Sequence, residues 1–182
     1  MLGLAEGRFD RVIVTRPAVE SDEEIGFLPG GIDSKMMPYM MPIIDCLVDL
    51  VGGKTTDLLF EKGVVSVRPF AFMRGSTFSR CFIIADEMQN ATPHQFKNLL
   101  TRIGQDSKMV VSGDPTQSDL KEKNGLIDFM SKFKDFYSTS MRSPDHFTVD
   151  QLGNSDIVRH AVVEEVINIY DTQRVEVLRS VG

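Results

Sequence analysis

Phosphoryl chemistry needs carboxylates that can hold a divalent cation and manage a water molecule, and two stretches of this sequence end in suitable side chains. The apolar run Cys81–Ala85 stops at adjacent acids, Asp86 and Glu87. After a buried strand, such a pair serves nucleotide hydrolysis: the first carboxylate holds Mg2+, usually through water, and the second orients or deprotonates the attacking water. Two acids also simply mark the end of many strands. A second run, Lys108–Val111, leads into Ser112-Gly113-Asp114-Pro115-Thr116-Gln117. If the two strands are neighbours, Ser112, Asp114 and Gln117 stand beside the acid pair, where a serine or glutamine can sense a γ-phosphate or position water. Gly, Asp and Pro are equally the residues of a plain turn. The two strand ends together specify more than either does alone.

A nucleotide also needs a cradle. The phosphate loop G-x-x-x-x-G-K-[ST] curls so tightly that successive backbone N–H groups point at the phosphates and its lysine reaches the same oxygens. Gly53, Lys54 and Thr55 match the end of that pattern, but its first glycine falls on Val48. The loop should follow a buried strand, whereas Ile43, Ile44, Leu47, Val48, Leu50 and Val51 recur at helical spacing. Gly52 and Gly53 therefore read as a helix C-terminus, and Lys54 is not assigned to phosphate.

Apolar runs rich in β-branched residues recur at 11–16, 63–69, 81–87, 108–114 and 146–152, several of them apolar at consecutive positions, as in strands buried on both faces. Helical patterns lie between them. Thr92 predicts an N-cap, with Pro93 at the first helical position and Gln95 completing a capping box. Phe96, Leu99, Leu100 and Ile103 form one apolar stripe, and Gly104 is expected to stop that helix. Further helices are expected from Gly125 to about Phe136, with Leu126, Met130 and Phe133 inward, and from about Ser155 to Tyr170, with Val158, Val162, Val166 and Ile169 inward. Residues 32–51 look helical but broken near Pro38 and Pro42. Strands alternating with helices imply an α/β fold with a mostly parallel sheet, in which ligands sit at the carboxyl ends of the strands.

With 182 residues, 42% hydrophobic and 25% charged, the chain suits one domain with a real core. A net charge of −6 gives no global positive field, so RNA or DNA as a partner gains no support from charge. Cys46 and Cys81 sit among apolar neighbours without CxxC spacing and His94, His146 and His160 are scattered, which fits buried free thiols in a reducing cytoplasm and no zinc site. Neither a secretion signal nor an apolar run of membrane-spanning length is present, so a cytoplasmic protein without a membrane partner is expected. Met36, Met37, Met40 and Met41 cluster with Pro38 and Pro42, either as adaptable core filler or as a flexible apolar surface.

The motifs VTRPAVE, GFLPGG, FMRGSTF, FIIADEMQN, GDPTQSDL and DIVRHAVV follow one another from about Asp10 to Tyr170. In order and approximate spacing they resemble the PhoH-like family, the phosphate-starvation-inducible P-loop ATPases. The resemblance implies a RecA-like P-loop NTPase fold, related to the first motor domain of superfamily 1 helicases, binding ATP with Mg2+. It makes Asp86 and Glu87 the Walker B acids, with Asp86 on Mg2+ and Glu87 acting on the attacking water. Gln89 then belongs to the same DExQ-type cluster, and Asp114 and Gln117 to a GDxxQ-type motif, with Gln89 and Asp114 as nucleotide-binding residues and Gln117 near the γ-phosphate. Arg16, Arg74 and Arg159 fall in motifs where a guanidinium contacts phosphate or acts as an arginine finger from a neighbouring subunit of a homo-oligomer, Arg159 being the preferred finger. A salt bridge or a helix-end partner is the plainer role for each. Met88 stands where the family usually has alanine, Ser76 where a second arginine is common, and Ala161 where a proline usually opens the last helix.

The resemblance also implies a Walker A strand, loop and helix ahead of VTRP, and no G-x-x-x-x-G-K-[ST] occurs in these residues. The opening MLGLAEGRFD looks like the end of the helix that follows such a loop, so the sequence is expected to begin inside a domain. A Walker A strand is expected in the sheet interior. Each buried backbone group unpaired by its loss costs about 1–3 kcal/mol. Without the cradle, Asp86 and Glu87 would face a poorly held substrate. The expectation is therefore ATP hydrolysis when a phosphate loop is supplied, and otherwise a non-catalytic assembly or nucleic-acid-binding subunit. A helicase proper would need a second motor lobe, and only one is legible.

Overall fold

The computed structural model of the chain describes residues 1–17, 32–120, 124–140 and 143–153, together with residues 156, 158, 162, 163, 165, 166 and 169. Two compact units divide the chain, Met1–Met141 and Arg142–Gly182.

The first unit is built on four parallel strands, β1 (Arg11–Thr15), β2 (Val65–Val67), β3 (Cys81–Ala85) and β4 (Lys108–Val111), in the spatial order β2-β1-β3-β4. Parallel neighbours need crossovers. Between β1 and β2 the chain forms α2 (Ile32–Val51) and α3 (Gly53–Glu61), and between β3 and β4 it forms α4 (Pro93–Leu100). A four-residue α1 (Leu2–Ala5) precedes β1, and α5 (Gly125–Ser140) follows β4. The α/β architecture with a parallel sheet and flanking helices is the one the strand and helix patterns predict.

Alternation sorts the strand side chains onto two faces. Ile13, Cys81, Ile83 and Ala85 point into one core with Phe70, Met73, Phe78, Met88, Phe96 and Leu99, against which Leu126 and Phe129 of α5 pack. Val12, Val14 and Val65 point into the other, covered by Leu4, Ile43, Ile44, Leu47, Leu59 and Phe60. Burial of each such large side chain contributes about 1.5–3 kcal/mol, and Ile13 and Ile83 are fully buried. These central strands fix where β1 and β3 end. Register pairs Thr15 with Ala85 and Ala85 with Val111, so the residues after three strands emerge along one edge.

Thr92 caps α4 as expected: its hydroxyl accepts from Gln95 N at 3.3 Å while Gln95 Oε1 accepts from Thr92 N at 2.8 Å. That helix ends at Leu100, earlier than its stripe suggests. Ile103 instead bridges Phe78, and Gly104 N donates to Phe78 O at 2.8 Å, so the chain leaves the helix to run beside its neighbour. The predicted break in residues 32–51 is absent: α2 is continuous through both prolines. Packing of Ile43, Ile44 and Leu47 on the sheet offsets the lost proline hydrogen bonds. Of the methionine cluster, Met41 is exposed, and the other three side chains lie outside the described residues.

Further corrections concern Cys46, which is exposed on α2 whereas Cys81 is buried as expected, and also α5 and the second unit. Leu126 and Phe129 of α5 pack on the core and Phe133 is half-buried against Phe129, but Met130 is exposed. The helix also runs four residues past Phe136, to Ser140. Residues 146–152 form no strand, and Phe147, Val149 and Leu152 are exposed. Residues 162, 163, 165, 166 and 169 are helical, but Val158, Val162, Val166 and Ile169 are exposed rather than inward.

Candidate functional site

Backbone pairing continues past the strand ends and aligns the acids. Asp86 N donates to Thr15 O at 3.0 Å, Ser112 N to Ala85 O at 2.9 Å, and Met88 N to Ser112 O at 3.0 Å. Asp86 is thus held between the chain leaving β1 and the chain leaving β4, at the carboxyl edge where α/β sheets bind ligands. The Ser112 hydroxyl donates to Asp86 Oδ1 at 2.8 Å. Ser112 and Asp86 meet, as neighbouring strands require.

Glu87 takes the left-handed conformation, φ 54° and ψ 36°. A side chain there costs about 1–2 kcal/mol, and such strain gathers at functional positions. Both carboxylate oxygens are engaged. Arg16 Nη2 lies 2.8 Å from Glu87 Oε1 and 3.7 Å from Asp86 Oδ2. Gln89 Nε2 donates to Glu87 Oε2 at 2.5 Å. Arg16, the residue after β1, therefore faces the acids directly. Its ion pairs are about a quarter to two-fifths exposed, so solvent screening leaves them worth about 0–1 kcal/mol.

A short 3-10 turn, Met88–Asn90, follows the acids and is wholly buried. Met88 belongs to the core, so its side chain packs there and does not lie at the acid edge. Gln89 and Asn90 grip the loop after β4. Gln89 Oε1 accepts from Asp114 N at 3.1 Å, Gln89 O accepts from the Ser118 hydroxyl at 2.9 Å, and Asn90 Oδ1 accepts from Asp119 N at 2.9 Å. Asn90 and Ser118 lie inside the quoted motifs, yet no local signal assigned them a role; their partners are nearly thirty positions away.

The loop holds itself as well. Asp114 Oδ1 accepts from the Thr116 hydroxyl at 2.7 Å and Thr116 N at 2.9 Å, and Asp114 Oδ2 accepts from Gln117 Nε2 at 2.8 Å. These donors, the Thr116 hydroxyl foremost, hold the Asp114 carboxyl below its ordinary value of 3.8 against a smaller opposing effect of burial. The exposed Gln117 side chain is thereby turned to Asp114.

Arg74 is exposed, at the end of the turn Phe70–Met73, and makes no ion pair with the acids among the described residues. Arg159 and Ala161 lie outside the described residues. Gly52, with φ 81°, ends α2 and caps α3, and Gly53-Lys54-Thr55 form the first turn of α3. That stretch joins two helices, which agrees with its rejection as a phosphate loop. Among the described residues no cluster of three or more His, Cys, Asp or Glu could hold a metal unaided. The Asp86 carboxylate beside the Ser112 hydroxyl still offers the oxygen chemistry Mg2+ takes when substrate phosphates and water complete its shell. No helix among the described residues is long and apolar enough to cross a membrane.

A profile of the family described as PhoH-like protein matches residues 2–171. The chain is 40% identical over 172 residues to a PhoH-like protein of Bacillus subtilis, covering 93% of this chain and 51% of the relative. It is 39% identical over 170 residues to a PhoH-like protein of Synechocystis, covering 92% and 49%, and 38% identical over 165 residues to Protein PhoH of Escherichia coli, covering 88% and 44%. It spans about half the length of these relatives. With its parallel sheet and acid-ended third strand, the chain belongs to the PhoH-like protein family of P-loop NTPases.

Proposed function

We propose that these residues form the hydrolytic edge of an ATPase domain, binding Mg-ATP and cleaving its terminal phosphoanhydride where a phosphate loop completes the cradle. The observation that supports this most is the meeting of two strand ends, Asp86 with Ser112 across β3 and β4, with Glu87 beside them. Mg-ATP supplies a γ-phosphoryl group polarised for attack by water. Asp86, oriented by Ser112, would hold the metal ion. Glu87 would accept the proton of the attacking water, and to do so its Oε1 must leave Arg16. Arg16 is then available to phosphate oxygens, as its place in the VTRP motif suggests. Gln117, now turned to Asp114, would move to the γ-phosphate. Arg159 is proposed as a finger acting between subunits of a homo-oligomer, and kinship with superfamily 1 helicase motors belongs to the same reading.

The test uses this chain and a longer version carrying a G-x-x-x-x-G-K-[ST] segment ahead of it. In the longer version Glu87→Gln should keep the Mg-ATP-dependent rise in melting temperature and abolish phosphate release. Undiminished hydrolysis by Glu87→Gln would sink the assignment of Glu87. A second reading takes the acid pair as structural, since Arg16 and Gln89 engage both Glu87 carboxylate oxygens, and makes the chain an assembly or nucleic-acid-binding subunit. That reading predicts no saturable Mg-ATP shift in the melting temperature of this chain.

A further inference from the structure

Gln89 is 1% exposed and its carboxamide is shared between two chain segments. Nε2 donates to Glu87 Oε2 at 2.5 Å and reaches Gln117 O at 3.4 Å, while Oε1 accepts from Asp114 N at 3.1 Å. One buried side chain thus touches the acid that would activate water and both ends of the Asp114–Gln117 turn. The contact is tight because position 113 has no side chain. A Cβ at Gly113 would sit 2.7 Å from Gln89 Oε1, closer than a side-chain carbon approaches, and 3.0 Å from Gln89 N, a tight contact. The neighbouring ties, Ser118 to Gln89 O and Asn90 to Asp119 N, fasten the loop to the 3-10 turn but do not reach Glu87.

We infer that Gln89 is a positioning residue that couples the Asp114–Gln117 turn to the Glu87 carboxylate, so that a shift of the turn changes where that carboxylate points. The inference deepens the hydrolytic reading above and rests on it for its catalytic meaning. Its physical content is independent: a buried amide cannot abandon one partner without leaving a polar group unpaired, so displacement at one end is resisted at the other. On this inference Gln89 supports the acid and the turn instead of contacting nucleotide. It stands behind the residues that would make that contact.

The coupling is read in this chain without any nucleotide, from hydrogen exchange of the Asp114 backbone amide. Glu87→Gly removes the carboxylate while keeping a residue suited to the left-handed backbone. It should speed Asp114 amide exchange about threefold or more, since Gln89 loses an anchor. In a Gln89→Met background, exchange should already be fast and Glu87→Gly should add nothing. In a Ser118→Ala background, which loosens the same loop by a route that bypasses Glu87, the effect of Glu87→Gly should persist. Asp114 exchange unmoved by Glu87→Gly, or moved equally with and without Gln89, overturns the inference.

In the version that carries a phosphate loop, Gln89→Met should lower kcat with nucleotide affinity held within about twofold. A fall in affinity at constant kcat would make Gln89 a binding element and overturn the positioning role. If wild-type protein shows no Mg-ATP binding, the hydrolytic reading fails, while the exchange experiment still decides whether Gln89 couples the two segments.

Discussion

The Ser112 hydroxyl, one residue past β4, donates at 2.8 Å to Asp86 Oδ1, one residue past β3. A hydrogen bond of this kind fixes a carboxylate's orientation before a metal arrives, and removing such a support commonly weakens metal affinity about tenfold or more. Ser112→Ala should therefore raise the Mg2+ concentration needed for half of the ATP-dependent melting shift by about tenfold. The check is a Mg2+ titration at fixed ATP in the phosphate-loop-bearing version. An unchanged midpoint would mean that the hydroxyl does not prepare Asp86 for metal.

Glu87 illustrates strain retained for position. At φ 54° its backbone suits glycine, and its ion pair with Arg16 is too exposed to compensate strongly. Glu87→Gly and Glu87→Ala both delete the carboxylate, but only alanine keeps the left-handed penalty. The glycine variant should be more stable than the alanine variant by about 1 kcal/mol in urea denaturation. Equal stabilities would indicate that the backbone relaxes once the carboxylate is gone.

The loop after β4 should respond to acid. Hydrogen bonds from Thr116 and Gln117 depress the Asp114 carboxyl below 3.8. A depressed acid contributes stability that is complete above the unfolded value and lost as pH falls through the folded one. Wild type should therefore exceed Asp114→Asn in stability near neutrality, with the difference beginning to shrink as pH drops below about 4 and vanishing further down. Asp114 is half-buried at the surface, where solvent and salt screen its charge, so the effect is small and salt-sensitive. Melting curves of both proteins across that range decide it; a difference independent of pH would mean that the Thr116 and Gln117 contacts do not depend on charge.

What the sequence makes legible is whatever short-range chemistry determines. The β-branched run Val12–Val14, the acids ending β3 and the Thr92–Gln95 capping box need only neighbours in sequence, and each is found where expected. Features settled by distant partners escape it. Ile103 fits the apolar stripe of α4, but the attraction of Phe78 takes it out of the helix. Pro38 and Pro42 look like breaks until Ile43, Ile44 and Leu47 are seen packed on the sheet. At the site, Asp86, Glu87 and Ser112 are readable as strand ends. The facing of Arg16 onto Glu87, and the burial of Gln89 between Glu87 and Asp114, arise only when segments far apart in sequence meet.

Thr15 closes β1 opposite Ala85, fully buried, and its hydroxyl has no hydrogen-bond partner among the described residues. What Thr15 contributes to the site is its carbonyl, which receives Asp86 N at 3.0 Å and would do so with any side chain compatible with the strand. Valine has nearly the same shape and prefers a strand. Thr15→Val should then relieve a buried unsatisfied hydroxyl and raise stability by about 1 kcal/mol. The urea midpoint should move up at constant m, with Mg-ATP binding in the phosphate-loop-bearing version preserved. A lower midpoint would show that the hydroxyl is hydrogen-bonded in solution, and that this end of β1 holds Asp86 through a side chain as well as through its backbone.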